Sequence, residues 1–104
     1  MKIDKLKDLI SDSINRNDPN AEAYLFGSRA RNDFHANSDW DILILVDDEK
    51  ITNEVEDKFR DELYDLELEF GQIISTYIYS KEYWKSVLIH TPLSEEVQSD
   101  GVKL

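Results

Sequence analysis

Gly27-Ser28-Arg29-Ala30-Arg31 and, a short loop later, Ser38-Asp39-Trp40-Asp41-Ile42-Leu43-Ile44 decide how this chain is read. The first stretch is a Gly-Ser turn leaving the apolar run 21–26. The second opens another apolar run with two carboxylates one residue apart. Strand side chains alternate between faces, so Asp39 and Asp41 share one face and Trp40 and Ile42 the other. Two neighbouring carboxylates repel unless a cation lies between them. Hard oxygen ligands of this kind suit Mg²⁺, which takes one or two protein carboxylates and completes its shell with water and substrate phosphates. The upstream turn offers backbone N–H groups, a hydroxyl and two guanidinium groups, which match a triphosphate. Gly27 permits close approach of the backbone to a ligand, and the Ser28 hydroxyl can donate to a phosphate oxygen. Each feature alone reads as an ordinary turn or a solvated acidic pair. Their combination points to phosphate and metal binding.

Outward from this stretch, the pattern predicts a mixed fold. Ile3, Leu6, Ile10 and Ile14 recur at helical spacing, so residues 2–16 read as an amphipathic helix. Asn17-Asp18-Pro19-Asn20 is a turn before a first strand over 21–26. A helical turn over 28–32 and a loop over 32–37 lead to a second strand over 39–46. That strand's continuous run Ile42 to Val46 implies cover on both faces. Asp47-Asp48 offers a cap for the long helix marked by Ile51, Val55, Phe59, Leu63, Leu66 and Phe70, which Gly71 stops. Residues 72–79, rich in Ile, Thr and Tyr, read as a third strand. Ser80 caps a helix through Leu88, and Thr91-Pro92 starts a last helix that Gly101 ends. The short link between the first two strands favours antiparallel pairing, and the long helix serves as a crossover to the third. The expectation is an α/β (α+β) fold: a small mixed sheet of three to four strands with helices packed against it.

Composition narrows the function. The 104 residues suit one domain, 1–104, and not two. With 40% hydrophobic and 34% charged residues the profile is globular. The absence of cysteine removes disulfides and thiolate zinc sites and is compatible with the cytoplasm. His35 and His90 do not suggest a histidine metal site. No apolar run spans a bilayer, and MKIDKLKDLI lacks the apolar core of a signal peptide, so no membrane partner is expected. A net charge of −11 repels nucleic acid phosphates, which argues against a template-binding role. It suits a basic protein partner or a polycationic small molecule, and equally serves solubility alone.

The motif GSRARNDFHANSDWDILI resembles the signature of the minimal nucleotidyltransferases, small members of the DNA polymerase beta-like nucleotidyltransferase superfamily. The resemblance implies a nucleotidyltransferase fold and Mg²⁺ as cofactor, one ion or two, with ATP as substrate. On the positions that match, it implies Gly27, Ser28, Arg29 and Arg31 at the phosphates, Arg31 more specifically than Arg29, and Asp39 and Asp41 as catalytic metal ligands. Such proteins often pair as antitoxins with a HEPN-domain ribonuclease toxin, and some adenylylate a tyrosine on it. The family's third acid should fall near the start of the third strand, where this chain has Gly71, Gln72 and Ser75. The nearest acids are Glu67 and Glu69; Glu69 reaches the site if the long helix ends early. Two other readings follow: a catalytically degenerate module that neutralises a partner by binding, and a small-molecule transferase of aminoglycoside type.

Overall fold

The run Ile42-Leu43-Ile44-Leu45-Val46 is buried along its whole length, as its lack of alternation requires. In the computed structural model, which describes residues 2–31 and 38–104, it forms most of β2 (Trp40–Val46). β1 (Glu22–Phe26) pairs with β2 antiparallel, and β3 (Ile74–Ser80) pairs with its other edge in parallel. The expected loop over 32–37 lies outside the described residues. A two-residue strand, β4 (Val102–Lys103), adds to β1 antiparallel, giving the order β3-β2-β1-β4.

Two helical layers cover the sheet. On one face, α1 (Lys2–Asn17) and α3 (Asn53–Phe70) bring Leu6, Ile10, Ile14, Phe59 and Leu63 onto Trp40, Ile42, Ile44 and Val46. On the other, α4 (Lys81–Ser86) and α5 (Pro92–Asp100) bring Trp84 and Val97 onto Phe26, Leu43 and Leu45. Asp41 belongs to this second face, because it alternates with Trp40 and Ile42.

Local chemistry sets the element ends. The cap of α3 is Thr52, whose side chain accepts from the Val55 N–H at 3.3 Å, and not the expected Asp47-Asp48, which lies too far upstream. Gly71 closes α3 in the left-handed conformation (φ 63°), and the N–H groups of Gly71 and Gln72 both return to the Glu67 carbonyl. Ser80 and Thr91 cap α4 and α5 as their sequences imply, accepting from Tyr83 and Ser94 N–H. Helix α4 is shorter than expected, and a 3₁₀ turn at Leu88–His90 follows it. The outer edge of β3 is guarded by α3: Glu67 accepts the Ile74 N–H at 2.7 Å, and Arg60 donates to the Thr76 hydroxyl at 2.8 Å.

Among the described residues, one buried side-chain polar group lacks a partner. Ser13 on α1 is 1% exposed, and its hydroxyl has no hydrogen-bond partner among the described residues. An unmade bond there costs about 1–3 kcal/mol. Ser13→Ala is expected to raise stability by about 1 kcal/mol in urea unfolding, with an unchanged m-value. A loss of stability would mean that the hydroxyl is satisfied.

Candidate functional site

The acid pair sits where three strands meet the turn after β1. In register, Asp41 lies between Phe26 of β1 and Ser75 of β3. Gly27 follows Phe26 with φ 79°, and a β-carbon there would collide with the Asp41 carboxylate. The backbone angle favours glycine here, and any side chain would push the Asp41 carboxylate aside. The Gly27 carbonyl accepts from the N–H groups of Ala30 (3.1 Å) and Arg31 (3.2 Å), which starts the single turn α2 (Ser28–Arg31). Ser28, half-buried, occupies its first position, where the turn itself supplies its N–H no acceptor.

Asp39 is exposed just ahead of β2, and its Oδ2 accepts the Ser75 hydroxyl at 3.3 Å. Asp41 is half-buried. Burial, then the charges of Asp39 and Glu96, raise its pKa, and Arg31 partly opposes them. A carboxylate held against its ionisation beside another carboxylate is a donor set that a hard cation would relieve, so the residues present fit Mg²⁺. The two aspartates would hold it. Tyr77, two residues beyond Ser75 on the same face, has its pKa raised by burial and by Asp41, Asp39 and Glu96. Its ring rests 5.4 Å from that of Phe26.

The two arginines of the turn part company. Arg29 is only 6% exposed. It donates to the Ser38 carbonyl (3.1 Å) and to Gln72 Oε1 (2.8 Å), and lies 4.8 Å from the centre of the Trp40 ring. The Trp40 indole donates to the same Gln72 oxygen at 3.2 Å. Burial lowers the Arg29 pKa. Arg29, which the resemblance implies at the phosphates, is here an inward clamp that ties α2 to the start of β2 and to the link before β3. Trp40 packs in the core, as its face implies. Arg31 is 38% exposed and lies toward α5, with Glu96 at 3.4 Å and Asp100 at 3.6 Å.

The structure does not bring Glu69 to the pair. Helix α3 runs unbroken to Phe70 and packs on the opposite face of the sheet, so Glu69 stays exposed in its last turn. Ser75 stands opposite Asp41 where a strand-borne acid would lie. Among the described residues, the carboxylate of another element whose charge acts on Asp41 is Glu96, and sequence reading missed it. No spacing links Glu96 to the Asp39-Asp41 motif; only the packing of α5 does.

The raised Asp41 pKa makes a prediction. A carboxyl whose native pKa lies above its unfolded value destabilises the fold wherever it is ionised, and adds no penalty once both states are protonated. Asp41→Asn is therefore expected to raise the thermal midpoint at pH 7. The gain should shrink as pH falls through the native Asp41 pKa and vanish below about 3.9, the ordinary aspartate value. A midpoint that falls at pH 7 would contradict this electrostatic reading.

Solved structures show the same architecture. A crystal structure described as a toxin–antitoxin MntA–HpeT mutant superposes with a TM-score of 0.66 at 23% identity, covering 94% of this chain and 70% of that one. A second MntA–HpeT mutant gives 0.66 at 22% identity, over 92% and 69%. A toxin–antitoxin structure with AMP-PNP gives 0.64 at 24%, over 90% and 68%. These likenesses are of fold. No curated protein matches the chain by sequence. A family model described as the nucleotidyltransferase domain matches residues 7–101, nearly the whole chain. The chain, with its Gly-Ser turn packed on a paired-aspartate strand, therefore belongs to the nucleotidyltransferase domain family.

Proposed function

We propose that this protein is a Mg²⁺-dependent nucleotidyltransferase that moves AMP from ATP onto a protein hydroxyl, a tyrosine of a HEPN-domain toxin, and so acts as an antitoxin. The observation that carries the reading is Asp41, one carboxylate of the Asp39–Asp41 pair, lying against the Gly27 turn. In this reading Gly27, Ser28 and Arg31 receive the phosphates, and Asp39 and Asp41 hold the metal. Arg29 acts through Ser38 and Trp40 by fixing the entry to β2. The toxin–antitoxin assemblies among the structural neighbours, one with AMP-PNP, support a protein partner and a nucleotide substrate. The charge of −11 supports a protein acceptor over nucleic acid. Among the described residues no helix is long and apolar enough to cross a membrane. An ATP-dependent reaction on an intracellular toxin belongs in the cytoplasm.

The acceptor oxygen attacks the α-phosphorus. The bond from that phosphorus to the bridging oxygen breaks, pyrophosphate leaves, and the hydroxyl proton passes to solvent or a nearby base. Bound Mg²⁺ supplies charge neutralisation and orients the triphosphate. The chain contributes position: a rigid turn set by Gly27, and aspartates held by a strand buried on both faces. Ser75 in place of a strand-borne acid leaves little basic help for the incoming hydroxyl. That favours a phenol, with a pKa near 10, over a far less acidic aliphatic alcohol. The same Ser75 favours a second reading, in which the domain has lost turnover and neutralises its partner by binding alone.

Calorimetric titration with ATP, with and without Mg²⁺, beside Asp39→Asn tests the site. Metal-dependent binding that the variant loses by at least about tenfold in affinity is the expected result. Labelled ATP incubated with protein and a co-expressed HEPN partner then separates the two readings. Label on a partner tyrosine supports transfer; neutralisation without label, unchanged in Asp39→Asn, supports the binding module.

A further inference from the structure

Arg31 is surrounded by acids of two kinds. On one side lie Glu96 and Asp100, one turn apart on α5, at 3.4 and 3.6 Å. On the other lies Asp41, whose pKa Arg31 lowers across the site. A guanidinium released from α5 would be drawn toward the Asp39–Asp41 pair, where Asp41 already feels its charge, and there it would compete with a divalent cation. Helix α5 is well placed to prevent this. Val97 is buried against the face of the sheet that carries Phe26, Leu43 and Leu45, and Thr91 and Pro92 fix the helix start, so Glu96 and Asp100 project from a rigid element.

We propose that Glu96 and Asp100 are positioning residues that hold Arg31 off the aspartate pair, keeping the pair open to metal while leaving the guanidinium at its rim for phosphate. This inference rests on the reading that Asp39 and Asp41 hold the metal. The two carboxylates give Arg31 a preformed place, so it need not be withdrawn from the metal ligands when nucleotide arrives. The arrangement also gives a role to Glu96, whose charge opposes ionisation of Asp41 and is otherwise only a cost to the site.

The test is a thermodynamic cycle read by Mn²⁺ alone, titrated into the whole protein by calorimetry or by its electron paramagnetic resonance signal. Wild type is expected to bind Mn²⁺, and Asp39→Asn to lose it. The Glu96→Gln/Asp100→Asn double variant should bind more weakly. Adding Arg31→Gln should restore affinity, and that gain should exceed the gain from Arg31→Gln in wild type by about fivefold or more, the coupling expected of groups in one charge network. Simple loss of two negative charges cannot produce this excess, because it would act equally in both backgrounds. Equal gains, or a double variant that binds like wild type, would overturn the proposal while leaving the metal site standing. Mn²⁺ binding indifferent to Asp39→Asn would remove the site reading and this inference with it. If the double variant does not fold, Glu96→Gln and Asp100→Asn singly should each show part of the coupling, with the same sign.

Discussion

Burial of β2 on both faces is the constraint on which the remaining structure depends. Five consecutive apolar residues, Ile42 to Val46, can be hidden only if both faces of the strand are covered. Helices α1 and α3 serve one face, and α4 and α5 the other. The crossover through α3 makes β3 parallel to β2, which sets Ser75 beside Asp41. The short link from β1 sets Phe26, and so Gly27, on Asp41's other side. The acid pair is therefore carried at the start of the most buried strand in the sheet, a stiff mount for groups that must hold position.

The site joins this rigidity to unfavourable electrostatics. Burial, and then the charges of Asp39 and Glu96, resist the ionisation of Asp41 in a protein already carrying −11. A fold built for stability alone would not collect these charges. Their collection beside a turn closed over Asp41 is the physical support for the proposed cation site. The two arginines divide the balancing work. Arg29 gives up solvent to clamp three segments through Ser38, Gln72 and Trp40. Arg31 keeps partial exposure, and its charge is shared with α5.

Much of the fold was legible in the residues. The helical spacing of Leu6, Ile10 and Ile14, the Gly71 stop, and the Ser80 and Thr91 caps are local signals, and each acts within a few residues. The fourth strand was only a possibility in sequence, because two residues carry no periodicity and Val102–Lys103 is a strand only through β1. Thr52 displaced Asp47-Asp48 as cap because capping depends on where the first turn begins, and composition leaves that open by several residues.

By itself the sequence determined that Asp39 and Asp41 share a face, that a glycine turn precedes them, and that the second strand is hidden on both sides. These follow from alternation and backbone sterics, which need no distant partner. Tertiary structure alone decided which other groups meet the pair. It turned Arg29 inward, left Glu69 on the far layer and brought Glu96 and Asp100 to Arg31. Charges separated by tens of residues become neighbours only through packing, and spacing along the chain carries no record of that.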